Sequence, residues 1–224
     1  MLYRTILIGC TLLTCLGLVV STYHSIDTSS TPLQASPSAD SLSFFDPRFV
    51  KLSPQEIALI PPTTSYTFPM GTNEGAFTYN AQKFWTLNHH RRGYHSGEDL
   101  NGIGGGNSDF GDSVYSIADG LVLYSGEPSL GWGQVIIVGH RDQTNGQNRI
   151  IQSLYAHLAE SHISVGQFVK KGEIIGKVGS ASGQYLAHLH FEIRQGSNLY
   201  IGPGYLQTPG TQLSAETFLK NMTK

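Results

Sequence analysis

Residues 186–194 read Leu-Ala-His-Leu-His-Phe-Glu-Ile-Arg, a stretch in which polar and apolar side chains alternate from His188 onward. Because successive side chains of a β-strand point to opposite faces, this pattern predicts a strand with one apolar and one polar face. The polar face would carry His188, His190, Glu192 and Arg194. Two imidazoles on one face can serve a single small site, one as a metal ligand and the other as a proton carrier or charge stabiliser. We therefore expect further ligands elsewhere in the chain.

The segment from about residue 65 to residue 209 has the same strand-like character. Short apolar runs alternate with Gly, Asn and Asp turns, and none has a useful length of helical periodicity. The runs occupy residues 114–117, 120–125, 134–140, 149–157, 174–178 and 189–194. The turn signal Asn145-Gly146 predicts that two of them pair as a hairpin. Segments 118–122 and 171–175 resemble two related hairpin halves.

The predicted fold class is therefore all-β and mainly antiparallel. We expect a folded-over β-sheet or sandwich with short peripheral helices. The 26 glycines and 10 prolines agree with the many tight turns that such a fold needs.

The chain is long enough for one folded domain behind a leader and a linker. Arg4 and the apolar run at residues 5–20 predict an export signal over residues 1–21, either cleaved after Ser21 or kept as an N-terminal membrane anchor. Residues 22–64 are interpreted as a linker or arm with a short helix that begins after Ser53. The folded domain is assigned to residues 65–212, and a C-terminal helix or tail capped by Ser214 to residues 213–224. The expected location is the periplasm, the cell envelope or the extracellular space.

Composition excludes some classes of site and partner. Both cysteines, Cys10 and Cys15, lie in the predicted leader, so a metal site in the exported part must use histidine and carboxylate ligands. The chain has 14 Lys and Arg against 16 Asp and Glu, and no basic cluster larger than a pair of residues. It therefore lacks the electrostatic footprint of a nucleic-acid-binding protein.

A second cluster of polar residues offers partners for the His-x-His strand. His95 and Asp99 are four positions apart, and Gly97 between them allows a bent backbone that turns both side chains onto one centre. Together with His190 they would supply three ligands for Zn²⁺ and leave a fourth position open. This is the ligand count of a catalytic zinc site, because structural sites close all four positions.

A third cluster, Tyr155-Ala156-His157, adds another imidazole. Strand alternation predicts that Tyr155 and His157 share one face, so that His157 can approach the open side of the metal. Tyr94 and Tyr155 could reach an oxyanion or pack at a groove wall. Glu192 could orient a ligand as a carboxylate behind it or be a solvated strand residue.

These three clusters, in their order along the chain, resemble the motifs of the lysostaphin and LytM type of zinc metallopeptidase, also called the beta-lytic metallopeptidase or peptidoglycan endopeptidase family. The matching motifs are His95-Ser96-Gly97-Glu98-Asp99, Tyr155-Ala156-His157-Leu158 and Ala187-His188-Leu189-His190-Phe191-Glu192. The resemblance implies that the folded-over β-sheet or sandwich is of the duplicated hybrid motif type. It implies one zinc ion per chain, bound by His95, Asp99 and His190. It also implies that His157 and His188 act on the attacking water and the oxyanion, without saying which does which. Zinc would lower the pKa of bound water to about 7 and polarise the scissile carbonyl.

The resemblance implies an exported zinc metalloendopeptidase that hydrolyses peptide bonds of bacterial peptidoglycan, in a stem cross-link or in a bridge. We expect a monomer whose partner is the peptidoglycan peptide, with membrane attachment only through the N-terminal apolar segment. The alternative is a non-catalytic LytM-like regulator of a cell-wall hydrolase. Leu186-Ala187 replaces the Gly-Pro that relatives often have, and segments 101–111 and 141–149 are longer than usual, so both could line the groove.

Overall fold

The structure, a computed structural model, describes residues 50–72, 75 and 77–222. The predicted leader and most of the predicted arm lie outside the described residues and stay predictions. Within the described part of the chain, no helix has both the length and the apolar character needed to cross a membrane.

The described chain is mostly β-structure with two short α-helices, α1 (Pro54–Leu59) and α2 (Ala215–Met222). A single 3₁₀ turn at Thr144–Gly146 lies in the loop between β9 and β10. In chain order the strands are β1 (Val50–Lys51), β2 (Pro62–Thr63), β3 (Thr78–Gln82), β4 (Leu87–Asn88), β5 (Gly93–His95), β6 (Glu98–Gly102), β7 (Ser113–Tyr115), β8 (Gly120–Gly126), β9 (Gln134–Asp142), β10 (Arg149–Leu158), β11 (Glu160–Ser161), β12 (Phe168–Val169), β13 (Ile174–Lys177), β14 (Leu189–Gln195), β15 (Asn198–Leu199), β16 (Tyr205–Leu206) and β17 (Gln212–Leu213).

One large sheet organises the fold, in the order β12-β8-β9-β10-β14-β6-β3. All neighbours along this path are antiparallel; β17 adds to β14, and β2 runs parallel to β9. Three small sheets, β11-β13-β7, β16-β5-β4 and β1-β15, complete the described structure. The prediction of a mainly antiparallel all-β fold is confirmed.

Strand β14 has the two faces that its sequence predicts. Leu189, Phe191 and Ile193 are fully buried in the main hydrophobic core, on one side of the large sheet. Each such side chain contributes about 1.5–3 kcal/mol by leaving water. The opposite face of the sheet holds a smaller apolar cluster that includes Leu154 and Ala156 of β10. The polar residues of β14 lie on this second face, where the candidate site forms.

The predicted caps and the predicted turn are present. The Ser53 Oγ accepts from the Glu56 N–H, and the Glu56 carboxylate accepts from the Ser53 N–H, which completes a capping box at α1. The Ser214 Oγ accepts from the Thr217 N–H at the start of α2. Asn145 and Gly146 both have positive φ in the β9–β10 connection, the conformation that this dipeptide favours.

Strands β3, β5 and β6 were not predicted. Their sequences are polar, for example Thr-Tyr-Asn-Ala-Gln in β3 and Glu-Asp-Leu-Asn-Gly in β6, and β3 lies at the edge of the large sheet. Strands β3 and β6 carry no apolar run, because most of their residues are only half-buried or exposed, and β5 is only 3 residues long.

We expect the domain to become less stable as the pH decreases, because of His140 in β9. Its Nδ1–H donates to the Asp119 carbonyl at 2.9 Å, and its Nε2 accepts from the Ser153 Oγ at 2.8 Å. Burial lowers the pKa of His140 to about 4. Between about pH 6.5 and pH 4 the unfolded chain therefore binds more protons than the folded chain, so folding becomes less favourable by up to about 3 kcal/mol as the pH falls through this window.

Urea unfolding of the wild type and of His140→Gln at pH 7.5, 6 and 5 measures this contribution. The glutamine variant should lose less stability over this range, because it has no imidazole to protonate. An equal loss in both proteins would contradict the assignment.

Candidate metal centre and catalytic groove

Three predicted ligand atoms converge on one point of the polar face. The His95 Nε2 lies 3.0 Å from the His190 Nδ1, and the Asp99 Oδ1 lies 3.2 Å from the former and 3.0 Å from the latter. The two histidines are 95 positions apart in the chain, and both are buried. The fold therefore assembles these three side chains into one triangle of donor atoms.

Pairing of β6 with β14 creates this triangle. Asp99 lies directly opposite His190 in the register of the two strands, and a bend at residues 96–97 brings His95 back from β5. The bend predicted at Gly97 is present, and the structure adds the reason for glycine. A Cβ at Gly97 would lie 2.5 Å from the Phe191 carbonyl oxygen and 2.7 Å from the Glu192 Cγ. Only glycine lets β14 approach this closely.

The triangle fits a divalent metal ion. Ligand distances of about 2.0–2.2 Å in tetrahedral geometry place neighbouring donor atoms about 3.3 Å apart. The distances here, 3.0–3.2 Å, are close to that spacing. Burial opposes ionisation of Asp99, but hydrogen bonds from His190 and His95 outweigh it and hold the pKa of Asp99 well below its usual range. The site thus offers two imidazoles and a carboxylate that stays anionic at neutral pH.

Glu192 is fully buried and accepts from the His190 Nε2–H at 3.0 Å. It therefore orients this imidazole so that Nδ1 points at Asp99 and His95, and the alternative of a solvated residue is wrong. The Arg194 Nε–H donates to the second Glu192 oxygen at 2.7 Å. Burial raises the pKa of Glu192, but the charge of Arg194 and the bond from His190 lower it more strongly, to about 2.

We expect Glu192→Gln to weaken metal binding by about 10- to 100-fold, because His190 loses the anion that fixes its ring and strengthens its basicity. Competition with a chromophoric chelator measures the affinity. Glu160→Gln is a matched control, since Glu160 is an exposed carboxylate that also contacts a histidine, His162. Unchanged affinity in Glu192→Gln would show that Glu192 does not support the ligand.

His157 and His188 lie beside the triangle with their ring centroids 4.8 Å apart. The Nδ1 of His157 lies 3.2 Å from the Trp132 carbonyl oxygen, and that of His188 lies 2.8 Å from the Leu186 carbonyl oxygen. A carbonyl can only accept, so each Nδ1 carries the proton of the neutral ring and each Nε2 keeps its lone pair. The His188 Nε2 lies 3.7 Å from the Asp99 Oδ1. Burial, reinforced by His190 and His188, lowers the pKa of His157 to about 3, so this ring is neutral at neutral pH.

The prediction that Tyr155 and His157 share a strand face is wrong. Tyr155 is fully buried in the main core, and its hydroxyl accepts from the Ile117 N–H at 3.0 Å. The pairing of β10 with β9 shifts register between Tyr155 and Leu158, and His157 has a φ of 63°. This bulge turns His157 away from the core and into the groove. Tyr155 therefore cannot reach an oxyanion, and Tyr94 stacks on Trp85 instead.

A groove of about 340 Å³ opens over the five predicted site residues. Its walls include residues that the motifs did not identify, namely Gln82, Asn88, Arg91, Trp132, Tyr185 and Tyr205. The Trp132 ring meets His190 edge-on at 5.3 Å, and its indole N–H donates to the Gly202 carbonyl at 3.1 Å. The only sequence signal for Trp132 was its position between two glycines in a turn.

The long segment 101–111 holds the backbone just before His188. The Asn101 Nδ2 donates to the Ala187 carbonyl at 3.1 Å, and the Asn107 Oδ1 accepts from the Ala187 N–H at 2.7 Å. The second bond requires the N–H that a proline at this position lacks. Neither long segment, 101–111 or 141–149, contributes a residue to the walls of the described groove, so the prediction that both could line it is wrong.

Comparison with known proteins finds a family model that matches these residues. The model of peptidase family M23 matches residues 93–201, which include all five predicted site residues. Glycyl-glycine endopeptidase ALE-1 of Staphylococcus capitis is 35% identical over 113 residues, which cover 47% of this chain and 30% of that protein. Lysostaphin of Staphylococcus staphylolyticus is 33% identical over 124 residues, which cover 52% and 24% of the two chains. Murein hydrolase activator NlpD of Escherichia coli is 37% identical over 84 residues, or 38% and 20%. The chain thus spans less than a third of the length of these relatives.

Proposed function

Because the chain contains a domain of peptidase family M23 at residues 93–201, we propose that it is an exported zinc-dependent metalloendopeptidase that hydrolyses peptide bonds of bacterial peptidoglycan. The observation that carries the proposal is the convergence of His95, Asp99 and His190 within 3.2 Å of one another, beneath two imidazoles with free Nε2 atoms. We propose that it acts as a monomer in the periplasm, in the envelope or outside the cell. Residues 1–21 would serve as its signal peptide or membrane anchor.

Family membership alone does not choose between a peptidase and a regulator, since the relatives include two named for peptide cleavage or lysis and one named as a hydrolase activator. Two observations support catalysis. All five motif positions carry the residue types that the chemistry needs, and their side chains meet in one groove. A regulator that works by contact has no need for a triangle of metal ligands with a supporting carboxylate behind it.

Each residue of the site has a role in this proposal. His95, Asp99 and His190 would hold the zinc ion, and Glu192 would keep His190 in the binding tautomer. When bound, zinc supplies Lewis acidity that activates water and polarises the scissile carbonyl. The Nε2 atoms of His157 and His188 can accept a proton and, once protonated, stabilise the developing oxyanion or donate to the leaving amine.

Purified residues 26–224, incubated with peptidoglycan sacculi, test the proposal. We expect about one zinc ion per chain and new peptide termini in the soluble fragments, identified by mass spectrometry. Removal of zinc by a chelator should stop cleavage, and added zinc should restore it. A zinc-loaded protein that produces no new termini, but increases cleavage by a second hydrolase, would favour the regulator.

A further inference from the structure

Arg91 is a cation in the groove that the proposed chemistry does not use. Its Nη2–H donates to the Tyr185 hydroxyl at 3.3 Å, and its Cζ lies 6.0 Å from the centre of the Tyr205 ring. The Tyr205 ring lies 5.4 Å from that of His95, and the Tyr185 ring 4.9 Å from that of His157. The guanidinium therefore lies between two tyrosines of the groove wall: Tyr205, beside the proposed metal ligand His95, and Tyr185, beside the proposed catalytic residue His157.

The backbone that carries Arg91 is held in place. The Arg91 N–H donates to the Asn88 Oδ1 at 3.0 Å, and the Gln207 side chain donates to the carbonyl of Arg92. The hairpin of β4 and β5 then leads directly to His95. The backbone position of Arg91 relative to the proposed metal ligands is therefore set before a substrate binds, which reduces the ordering cost of recognition.

The guanidinium is also free to bind an anion. Among the residues that the structure describes, no carboxylate forms an ion pair with Arg91. The bond to Tyr185 occupies one of its five N–H donors. Asp99, the carboxylate that lines the groove, is held by two imidazoles. An arginine fork with free donors matches a carboxylate in charge and in geometry.

We propose that Arg91 binds a free carboxylate of the substrate and thereby selects stem peptides over glycine bridges; this inference rests on the proposed function. The ring distances place the Arg91 Cζ within about 11 Å of the His95 ring, about the length of three extended residues. Every carboxyl inside a glycine bridge is consumed in a peptide bond. A stem peptide keeps ionised carboxylates, on dicarboxylic residues and at its C-terminus, within that distance of a cross-link.

The full chain with zinc bound is tested on cross-linked stem peptides of one sequence in three forms: all carboxylates free, side carboxylates amidated, and the C-terminus amidated. An oligoglycine-bridged peptide is the fourth substrate. We expect kcat/KM for the free form to exceed that for one amidated form by about 10- to 100-fold, mainly through KM, and to exceed that for the glycine bridge. The amidated form that loses efficiency identifies which carboxylate is bound.

In Arg91→Gln the ratio of kcat/KM for the free substrate to kcat/KM for the amidated substrate should fall close to one. In Arg91→Lys this ratio should be intermediate, since lysine keeps the charge but not the planar fork of N–H donors. Arg92→Gln is the matched control and should keep the wild-type ratio, because Arg92 is exposed and does not line the groove. Because both kcat/KM values are measured on one preparation, a loss of folded protein lowers them equally and does not change their ratio.

Two results overturn the inference alone: equal cleavage of free and amidated peptides by the wild type, or an unchanged preference in Arg91→Gln. A wild type that prefers the glycine bridge would also overturn the inference, but the proposed peptidase function would stand. Cleavage of none of the four peptides, together with intact sacculi, overturns the proposed function and this inference with it.

Discussion

His190→Ala is expected to lose both bound zinc and peptide cleavage, with kcat/KM reduced by about 10³-fold or more. The substitution removes one of three ligand atoms and also the partner through which Glu192 supports the site. We expect the two remaining ligands to bind the ion too weakly to retain it at the concentrations used in an assay. Metal content per chain and fragment release, measured on the same preparation, check the two losses together.

The control for His190→Ala is His162→Ala. His162 is an exposed histidine beside an exposed carboxylate, and it does not line the groove. This variant should keep zinc and activity. Because Glu192 retains its bond from Arg194, His190→Ala should still fold, and circular dichroism verifies this. Full clearing of a peptidoglycan gel by His190→Ala would refute the proposed metal centre.

His157→Ala is expected to separate metal binding from catalysis. His157 is outside the triangle of ligand atoms, so the variant should keep about one zinc ion per chain. Its cleavage rate should nevertheless fall by about 10²- to 10⁴-fold, because a positioned imidazole that moves a proton contributes on that order. His188→Ala should show the same pattern, since the geometry gives both rings a free Nε2.

The zinc content and the cleavage rate of His157→Ala decide whether this assignment stands. Loss of zinc would make His157 a ligand and overturn its assignment as a proton carrier. A rate within about twofold of the wild type would remove it from the chemistry altogether. His157→Gln, which retains a polar group of similar reach but cannot act as a base near neutral pH, should be as slow as the alanine variant.

The sequence predicted the fold class, and it predicted that His95, Asp99 and His190 lie together, for reasons that can be named. The alternation in residues 188–194 is a property of one strand, and the structure keeps it, with the core on one face and His190 and Glu192 on the other. The order of the three motifs predicted which residues meet. The polar strands β3 and β6 were missed because β3 is an edge strand and β6 lies next to it, and most residues of both are only half-buried or exposed, so neither carries an apolar run.

The position of His157 shows where a local pattern fails. Alternation alone points this ring into the core beside Tyr155. A bulge reverses it, and the bulge depends on contacts from distant segments: the Trp132 carbonyl accepts from the His157 N–H at 3.0 Å. A Cβ at Gly133 would lie 2.8 Å from the Ala181 Cα, so this close packing also requires glycine there. No periodicity within β10 could indicate these partners.

From the sequence alone came the residue types, the two faces of β14, the helix caps and the Asn145-Gly146 turn, because side-chain alternation, capping and turn chemistry act between residues that are near neighbours in the chain. Only the tertiary structure decided that three donor atoms lie within 3.2 Å of one another, that Glu192 supports His190, and that Arg91 faces the groove between two tyrosines. The physical reason is that these relations depend on strand register, on a bulge and on close backbone approach. Each of those is determined by contacts between segments far apart in the chain.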